Sequence, residues 1–317
     1  MNSSKCTLAP LLFILSACSP ACSNPDPIAP SGGGGAVSGD AAAAGDGGGA
    51  AKKGAAELPP PADMITEAKG VDLGKLTEVQ KTSFYQIINT EPSACGKPHS
   101  LAVSLRDDAA CRDSLSVSQF VADALAQGAS PADIKGAMED VVDSLRVREI
   151  NIAGRPTYGN ERAPVTVVVF ADFECPHCRA EAPVLKQTVD QYRGRAKLVF
   201  KHFPISGHVR AKPAAVATMA AHAQGKFWEM AEQVFENQTA LEDADLVAYA
   251  KRAGLDVARF QADYKAQVGK ELVEADRVEG DKLEITGTPA VFVNGRYFNP
   301  LLFGGTVAGW IEDALRR

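Results

Sequence analysis

Two cysteines separated by two residues follow directly on an apolar, β-branched run, and this arrangement constrains the fold more than any other feature of the chain. The run is Val165–Phe170, and the cysteines are Cys175 and Cys178, with Pro176 and His177 between them. If a strand passes into a helix here, Cys175 lies at the helix N-terminus, where free N–H groups and the helix dipole stabilise a thiolate. We therefore expect Cys175 to be the exposed nucleophile of thiol-disulfide exchange and Cys178 to be the buried resolving thiol.

Other interpretations of this cysteine pair have weaker support. A structural zinc site normally needs four ligands, and no second CxxC or pair of histidines follows at a suitable spacing. A purely structural disulfide stays open, although a tightly bent loop is a costly staple for a chain with a large core. We predict neither a metal nor a cofactor. His177, between the cysteines, is predicted to donate a hydrogen bond to the Cys175 thiolate.

A second signal lies far along the chain, at residues 286–296. Thr288 and Pro289 precede the short apolar run Ala290–Val293, which ends in the hairpin-turn dipeptide Asn294-Gly295. Asp-Phe-Glu-Cys-Pro-His-Cys followed later by Gly-Thr-Pro-Ala-Val-Phe-Val-Asn-Gly-Arg resembles the DsbA-type branch of the thioredoxin superfamily. The resemblance covers roughly residues 155–317.

The resemblance implies roles for particular residues. The bond between Thr288 and Pro289 is expected to be cis, to pack against the cysteine pair and to present backbone to an extended substrate peptide. The Pro176-His177 dipeptide is similar to that of the family's oxidases. Two positions depart from the family: Val169 replaces a buried acid six residues before the first cysteine, and Thr288 is typical of isomerases and lipoprotein-type relatives.

The residue pattern of this half predicts the same α/β fold. The run at 165–170 reads as a buried strand, 178–194 as a helix kinked by Pro183, and 197–203 as a second, parallel strand. Residues from about 204 to 283 are helical in pattern, as in the helical insertion of DsbA-type proteins, and 303–315 form an amphipathic closing helix. We predict a thioredoxin-like fold with a helical insertion, preceded by a small all-α N-terminal domain.

The N-terminus predicts export and anchoring. Residues 1–17 read as a signal peptide, and Leu15-Ser16-Ala17-Cys18 resembles the bacterial lipobox, in which the cysteine is acylated. Ordinary signal-peptidase cleavage stays an alternative. Residues 18–61 are rich in glycine, alanine and proline and are predicted to be a disordered tether. Ser19 after the cysteine favours the outer membrane over the inner one, on the periplasmic side of a bacterial envelope.

Residues 62–150 are predicted to form a small helical domain. Apolar residues at helical spacing indicate helices around 76–88 and 117–125, and Ser130 begins a third. Cys95 and Cys111 lie in this segment, and in an oxidising compartment a structural disulfide between them is the simpler interpretation. A second redox pair that exchanges with Cys175 and Cys178 is the alternative.

Taken together, the sequence predicts a thiol-disulfide oxidoreductase that forms disulfides in secreted proteins. A disulfide isomerase or reductase is the alternative within the same class, and a non-catalytic peptide-binding or chaperone lipoprotein is the alternative outside it. The expected partners are secreted proteins with cysteines, a membrane redox protein that recycles the pair, and the membrane itself through the lipid on Cys18. The net charge of −6 argues against nucleic acid.

Overall fold

The computed structural model describes residues 64–317, and these belong to one compact unit. The predicted signal peptide, the predicted tether and Cys18 lie outside the described residues. None of the helices in the described part combines the length and the apolarity that a membrane crossing needs.

The segment predicted to be a small helical domain contains four helices, which are α1 (Glu78–Thr90), α2 (Leu101–Asp107), α3 (Arg112–Ala126) and α4 (Pro131–Leu145). Ser130 caps α4, since its side chain accepts the N–H of Asp133, and Pro131 occupies the first turn, where its missing N–H costs nothing. Helix α2 is not among the predicted helices, because a seven-residue helix is too short to show a clear helical period.

Five strands form one mixed sheet in the described residues, in the spatial order β1-β3-β2-β4-β5. They are β1 (Thr157–Gly159), β2 (Val165–Ala171), β3 (Ala196–His202), β4 (Ala290–Val293) and β5 (Arg296–Tyr297). Strands β2 and β3 are parallel, as predicted, and β4 runs antiparallel to β2. The turn between β4 and β5 places Asn294 at φ 47° and Gly295 at φ 80°, the left-handed conformation that an Asn-Gly hairpin turn requires.

Helix α5 (Pro176–Gln191) connects the two parallel strands and contains Pro183 in its interior. Five helices follow β3 and form the predicted insertion before β4, namely α6 (Ala211–His222), α7 (Phe227–Glu236), α8 (Asp243–Arg252), α9 (Val257–Lys265) and α10 (Lys270–Lys282). The chain closes with α11 (Val307–Arg316), preceded by a short 3₁₀ turn. The thioredoxin-like fold with a helical insertion is therefore confirmed.

Buried charges fix the last helix of the insertion on the sheet. Lys201 on β3 and Asp276 on α10 are both buried, and their Nζ and Oδ1 atoms lie 2.9 Å apart. Arg155 donates to the same carboxylate oxygen at 2.9 Å, while the backbone N–H of His202 donates to the other at 3.0 Å. Because each partner is enclosed, removing one of them would leave an unpaired buried charge.

Candidate active site around Cys175 and Cys178

The cysteine pair lies where β2 gives way to α5. The strand ends at Ala171, Cys175 is the N-cap of α5, and Pro176 occupies the first helical position. Within residues 64–317, Cys175 and Cys178 are the cysteines that carry free thiols. The relative exposure of Cys175 is only 5%, against 1% for Cys178. Cys175 is therefore buried, and the prediction that it is exposed is wrong, because the chain before β4 covers its sulfur.

That covering chain contains the predicted cis-proline. The peptide bond between Thr288 and Pro289 is cis, immediately before β4. The Cys175 thiol donates a hydrogen bond to the backbone carbonyl of Thr288, with the sulfur 3.3 Å from the oxygen. The site thus places the N-terminal thiol of the pair against the backbone group that the resemblance assigns to substrate binding.

Cys178 has a more enclosed environment. Burial raises the pKa of its thiol to about 12, opposed by the backbone N–H of Asp172, which points at the sulfur from 3.5 Å. A thiol with such a pKa stays protonated at neutral pH. Any step in which Cys178 carries negative charge therefore depends on the groups that contact its sulfur.

His177 does not make the predicted contact. It is exposed, and its ring has no hydrogen bond to any residue between 64 and 317. Cys175 instead directs its thiol to the carbonyl of Thr288. In this arrangement the stabilisation of a Cys175 thiolate rests on the start of α5.

Two acids of the loop before Cys175 hold that loop to the segment after β3. Asp172 is buried, and its carboxylate accepts from the Nδ1 of His208 at 2.8 Å and from the backbone N–H of Ile205 at 2.7 Å. Glu174 accepts the backbone N–H of Arg210 at 2.7 Å. The sequence signal for this contact was the position of His208 just after β3, since parallel strands end at the same edge of a sheet.

Gln238 is a site residue that the sequence analysis missed. It follows α7, and its side-chain amide donates to the carbonyls of Phe173 and Cys175, at 2.9 and 2.8 Å. A glutamine between two helices carries no signal in sequence that would reveal this contact. The helical insertion therefore fixes the backbone of the cysteine loop directly.

The position of the acid that the family usually buries is apolar in space as well as in sequence. Val169 is buried on β2 and pairs with Phe200 on β3. Aromatic rings fill the adjoining space, with the rings of Phe173 and Phe200 stacked at a centroid distance of 5.4 Å. Neither strand position therefore supplies a carboxylate to Cys178.

Cys95 and Cys111 form a disulfide with a Cα–Cα distance of 5.9 Å. Cys95 lines a cavity of about 420 Å³ together with Val293 and Asn294, at the end of β4, whereas Cys175 contacts Thr288 just before its start. The two cysteine pairs thus face opposite ends of β4 and make no contact. No group of three or more residues suited to hold a metal ion occurs in residues 64–317.

Fold and site together define a class of protein, a thioredoxin-like α/β domain with a dithiol at the start of its first sheet-connecting helix and a cis-proline opposite. Residues 152–313, half of the chain, match the family model described as Thioredoxin. The chain belongs to this thioredoxin family. The predicted superfamily and the predicted enzyme class, a thiol-disulfide oxidoreductase, both agree with that membership.

The relatives match this chain over 139 and 149 residues. The chain is 40% identical over 139 residues to the Na(+)/H(+) antiporter NhaA 3 of Salinispora tropica, which covers 44% of this chain and 21% of that protein. It is 36% identical over 149 residues to the Na(+)/H(+) antiporter NhaA 1 of Mycolicibacterium gilvum, covering 46% and 23%. The chain therefore spans less than a quarter of the length of these relatives.

Solved structures that resemble this chain include proteins described as oxidoreductases or thiol-disulfide exchange proteins. BdbD from Bacillus subtilis is 24% identical with a TM-score of 0.48, covering 54% of this chain and 98% of that one. A thioredoxin-like oxidoreductase from Silicibacter pomeroyi is 28% identical with a TM-score of 0.46, covering 55% and 95%. The thiol-disulfide exchange protein alpha-DsbA2 from Wolbachia pipientis is 22% identical with a TM-score of 0.46, covering 57% and 94%.

Proposed function

We propose that this protein is a DsbA-like oxidase that forms disulfides in secreted or periplasmic proteins through Cys175 and Cys178. The observation that supports the proposal best is the position of the Cys175 thiol. It lies at the start of α5, 3.3 Å from the carbonyl of Thr288, and Cys178 follows one turn later. This arrangement suits a thiol that exchanges with an extended peptide laid beside the cis-proline.

The reaction begins with the pair oxidised. A substrate thiolate attacks the sulfur of Cys175, the bond between Cys175 and Cys178 breaks, and Cys178 leaves as a thiolate that takes up a proton. A second substrate thiolate then attacks the substrate sulfur of the mixed disulfide, and Cys175 leaves as a thiolate. The substrate loses two electrons and gains a disulfide, and the reduced pair needs a membrane disulfide or quinone-linked oxidant to recycle it.

Thr288 and Pro289 would hold the substrate by pairing its backbone with the segment just before β4, since β4 itself is already paired with β2 and β5. In the dithiol form, the carbonyl of Thr288 accepts the Cys175 S–H. A disulfide at Cys175 has no S–H, so the carbonyl becomes free for a substrate N–H in the oxidised protein and in the mixed disulfide. Peptide binding is therefore expected to favour the oxidised form, as an oxidase requires.

The direction of reaction follows from which form of the pair is stabilised. The start of α5 favours the thiolate of Cys175, and a disulfide whose reduced form is stabilised is a strong oxidant. Thr288 before the cis-proline is the residue that favours the isomerase or reductase alternative.

The test equilibrates the full-length protein with glutathione buffers and measures the oxidised fraction of the pair. It then follows the oxidation of a reduced, unfolded protein. We expect a potential well above the value of about −270 mV of thioredoxin and stoichiometric oxidation of the substrate. Cys175→Ser should abolish this activity, and Cys178→Ala should accumulate mixed disulfides. A potential near that of thioredoxin would show a reductase, and no exchange together with suppressed aggregation would show a chaperone.

For location, we propose export to the periplasmic side of a bacterial envelope and anchoring through lipid on Cys18. The support is the sequence around Leu15-Ser16-Ala17-Cys18 alone. Cys18→Ala should move the protein from the membrane fraction to the soluble fraction or block its processing. Mass spectrometry that finds an unmodified N-terminus beyond residue 18 would refute the anchor and leave the redox proposal intact.

A further inference from the structure

The sulfur of Cys178 receives a hydrogen bond from the backbone of Asp172. The amide nitrogen lies 3.5 Å from the sulfur. Among residues 64–317, no other backbone N–H outside α5 is hydrogen-bonded to this sulfur. Because the thiol is buried away from water, this N–H is placed to meet negative charge on Cys178, together with the nearby hydroxyl of Thr288.

The side chain of Asp172 holds its own backbone in place. Its Oδ1 accepts the N–H of Glu174 at 2.7 Å, and its Oδ2 accepts the N–H of Ile205 at 2.7 Å. The carboxylate is thus fixed from its own loop on one side and from the segment after β3 on the other. Because both carboxylate oxygens of Asp172 are held, its backbone N–H keeps its direction when the charge on the sulfur of Cys178 changes.

His208 completes the contact and connects it to solvent. Its Nδ1 lies 2.8 Å from the Oδ2 of Asp172, and its side chain is 33% exposed while that of Asp172 is fully buried. A buried carboxylate without a lysine or arginine partner needs such donors to satisfy its oxygens, and the N–H groups of Glu174 and Ile205 supply the others. The other ionisable groups around this loop are Cys175 and Glu174 from the loop itself, Arg210 from the segment after β3, and His202 from β3.

We propose that Asp172 and His208 are positioning residues that hold the Asp172 N–H on Cys178 and so assist every step in which Cys178 carries charge. The inference rests on the proposed function, since Cys178 becomes charged only if the pair exchanges. In the family a buried acid assists the buried thiol, and Val169 occupies its position in this chain. Here the backbone N–H of Asp172 would assist Cys178 in place of a carboxylate.

The step to measure is the closure of a mixed disulfide with glutathione. Reduced full-length protein is mixed with excess glutathione disulfide. The Cys175 thiolate attacks one glutathione sulfur and releases a glutathione thiolate, forming the mixed disulfide. Cys178 then loses its proton, attacks the sulfur of Cys175 and releases the second glutathione thiolate. Acid quenching and mass spectrometry of the peptide that contains both cysteines give the two rates separately across a pH series.

The variants compare two acids of one loop. Asp172→Ala removes the anchor of the N–H, and Glu174→Ala is the matched control, because Glu174 also accepts a backbone N–H from the segment after β3 but does not orient the donor to Cys178. We expect Asp172→Ala to slow closure about tenfold, as for loss of a hydrogen bond to a charged group, and to move its pH profile upward. Attack by Cys175 should slow less than closure does in Asp172→Ala, and Glu174→Ala should leave the ratio of the two rates unchanged, because Glu174 holds the loop without orienting the donor to Cys178.

His208 is partly exposed, so its variants test the same contact without altering a fully buried side chain. His208→Ala removes the donor to Asp172 and should slow closure in the same direction. His208→Asn keeps a donor near the position of Nδ1 and should restore the rate. The inference is overturned if closure is unchanged in Asp172→Ala or His208→Ala, or if both rates fall together, or if Glu174→Ala has the same effect. Absence of any mixed disulfide in the unaltered protein would instead refute the proposed function.

Discussion

His202 is a histidine enclosed by aromatic side chains at the end of β3. Its ring centroid lies 5.9 Å from that of Phe173, 5.1 Å from that of Phe200 and 5.9 Å from that of Phe227. Neither ring nitrogen has a hydrogen-bond partner within residues 64–317. Burial lowers the pKa of His202 to about 3, with further lowering from nearby positive groups. The ring is therefore neutral in the folded protein and charged in the unfolded chain over a wide acidic range.

This difference predicts acid sensitivity. Below a pH of about 6.5 the unfolded chain takes up a proton on this residue, and the folded protein does not until the pH approaches about 3. The free energy of unfolding should therefore fall as pH falls through this window, by up to about 1.4 kcal/mol per pH unit. His202→Phe should flatten that dependence, measured by urea unfolding at a pH of about 7 and of about 4.5.

The matched control is His177→Phe, because His177 is an exposed histidine without a hydrogen bond in the described residues. It should leave the pH dependence of stability unchanged. Equal slopes in the unaltered protein and in His202→Phe would show that His202 is protonated in the fold, against its burial.

At the scale of elements, patterns that depend on neighbouring residues in sequence were predictable. The apolar run before the cysteines predicts β2, the Asn-Gly dipeptide predicts the turn after β4, and the Ser-Pro pair before α4 predicts its start. The position of His208 just after β3 indicates the edge of the sheet that it shares with Asp172, but not their hydrogen bond. The contact of Gln238 with the cysteine loop was not predictable, because it depends on where the insertion docks, and no local period or spacing encodes that position.

Gln238 is a further direct link between the insertion and the cysteine loop, and it supports a second prediction. Its amide donates to two carbonyls, so Gln238→Glu would set a carboxylate oxygen against carbonyl oxygens with no donor between them. We expect the variant to lose about 1–3 kcal/mol of stability and to slow thiol exchange at Cys175, because the loop backbone is no longer held. Unfolding by urea and the rate of mixed-disulfide formation measure the two effects.

Gln233→Glu on α7 is the control for this change. The side-chain oxygen of Gln233 accepts from the Nε of Arg252 at 2.8 Å, and a glutamate keeps that acceptor. Stability and exchange rate should both be maintained in the control. If Gln238→Glu behaves like Gln233→Glu, the amide of Gln238 does not hold the cysteine loop.

At the scale of the whole molecule, charged pairs join the N-terminal helices to the thioredoxin-like part. Arg296 on β5 pairs with Asp113 on α3 and donates to Asp313 on α11 at 3.1 Å. Arg317 lies 2.7 Å from Asp113 and 2.6 Å from Asp313. Each arginine thus bridges the same two acids, which fixes α3 against the C-terminal helix and explains why the described residues form one compact unit.

The disulfide between Cys95 and Cys111 braces the same helical segment, and its role can be separated from that of the other pair. It closes a loop with a sequence separation of 16, which is worth about 3 kcal/mol in the chain-entropy model. Replacing both cysteines with serine should lower the free energy of unfolding by that amount. The potential and exchange rates of Cys175 and Cys178 should stay the same, because the two pairs face opposite ends of β4. A changed potential in the double variant would establish the alternative, in which Cys95 and Cys111 exchange electrons with the active pair.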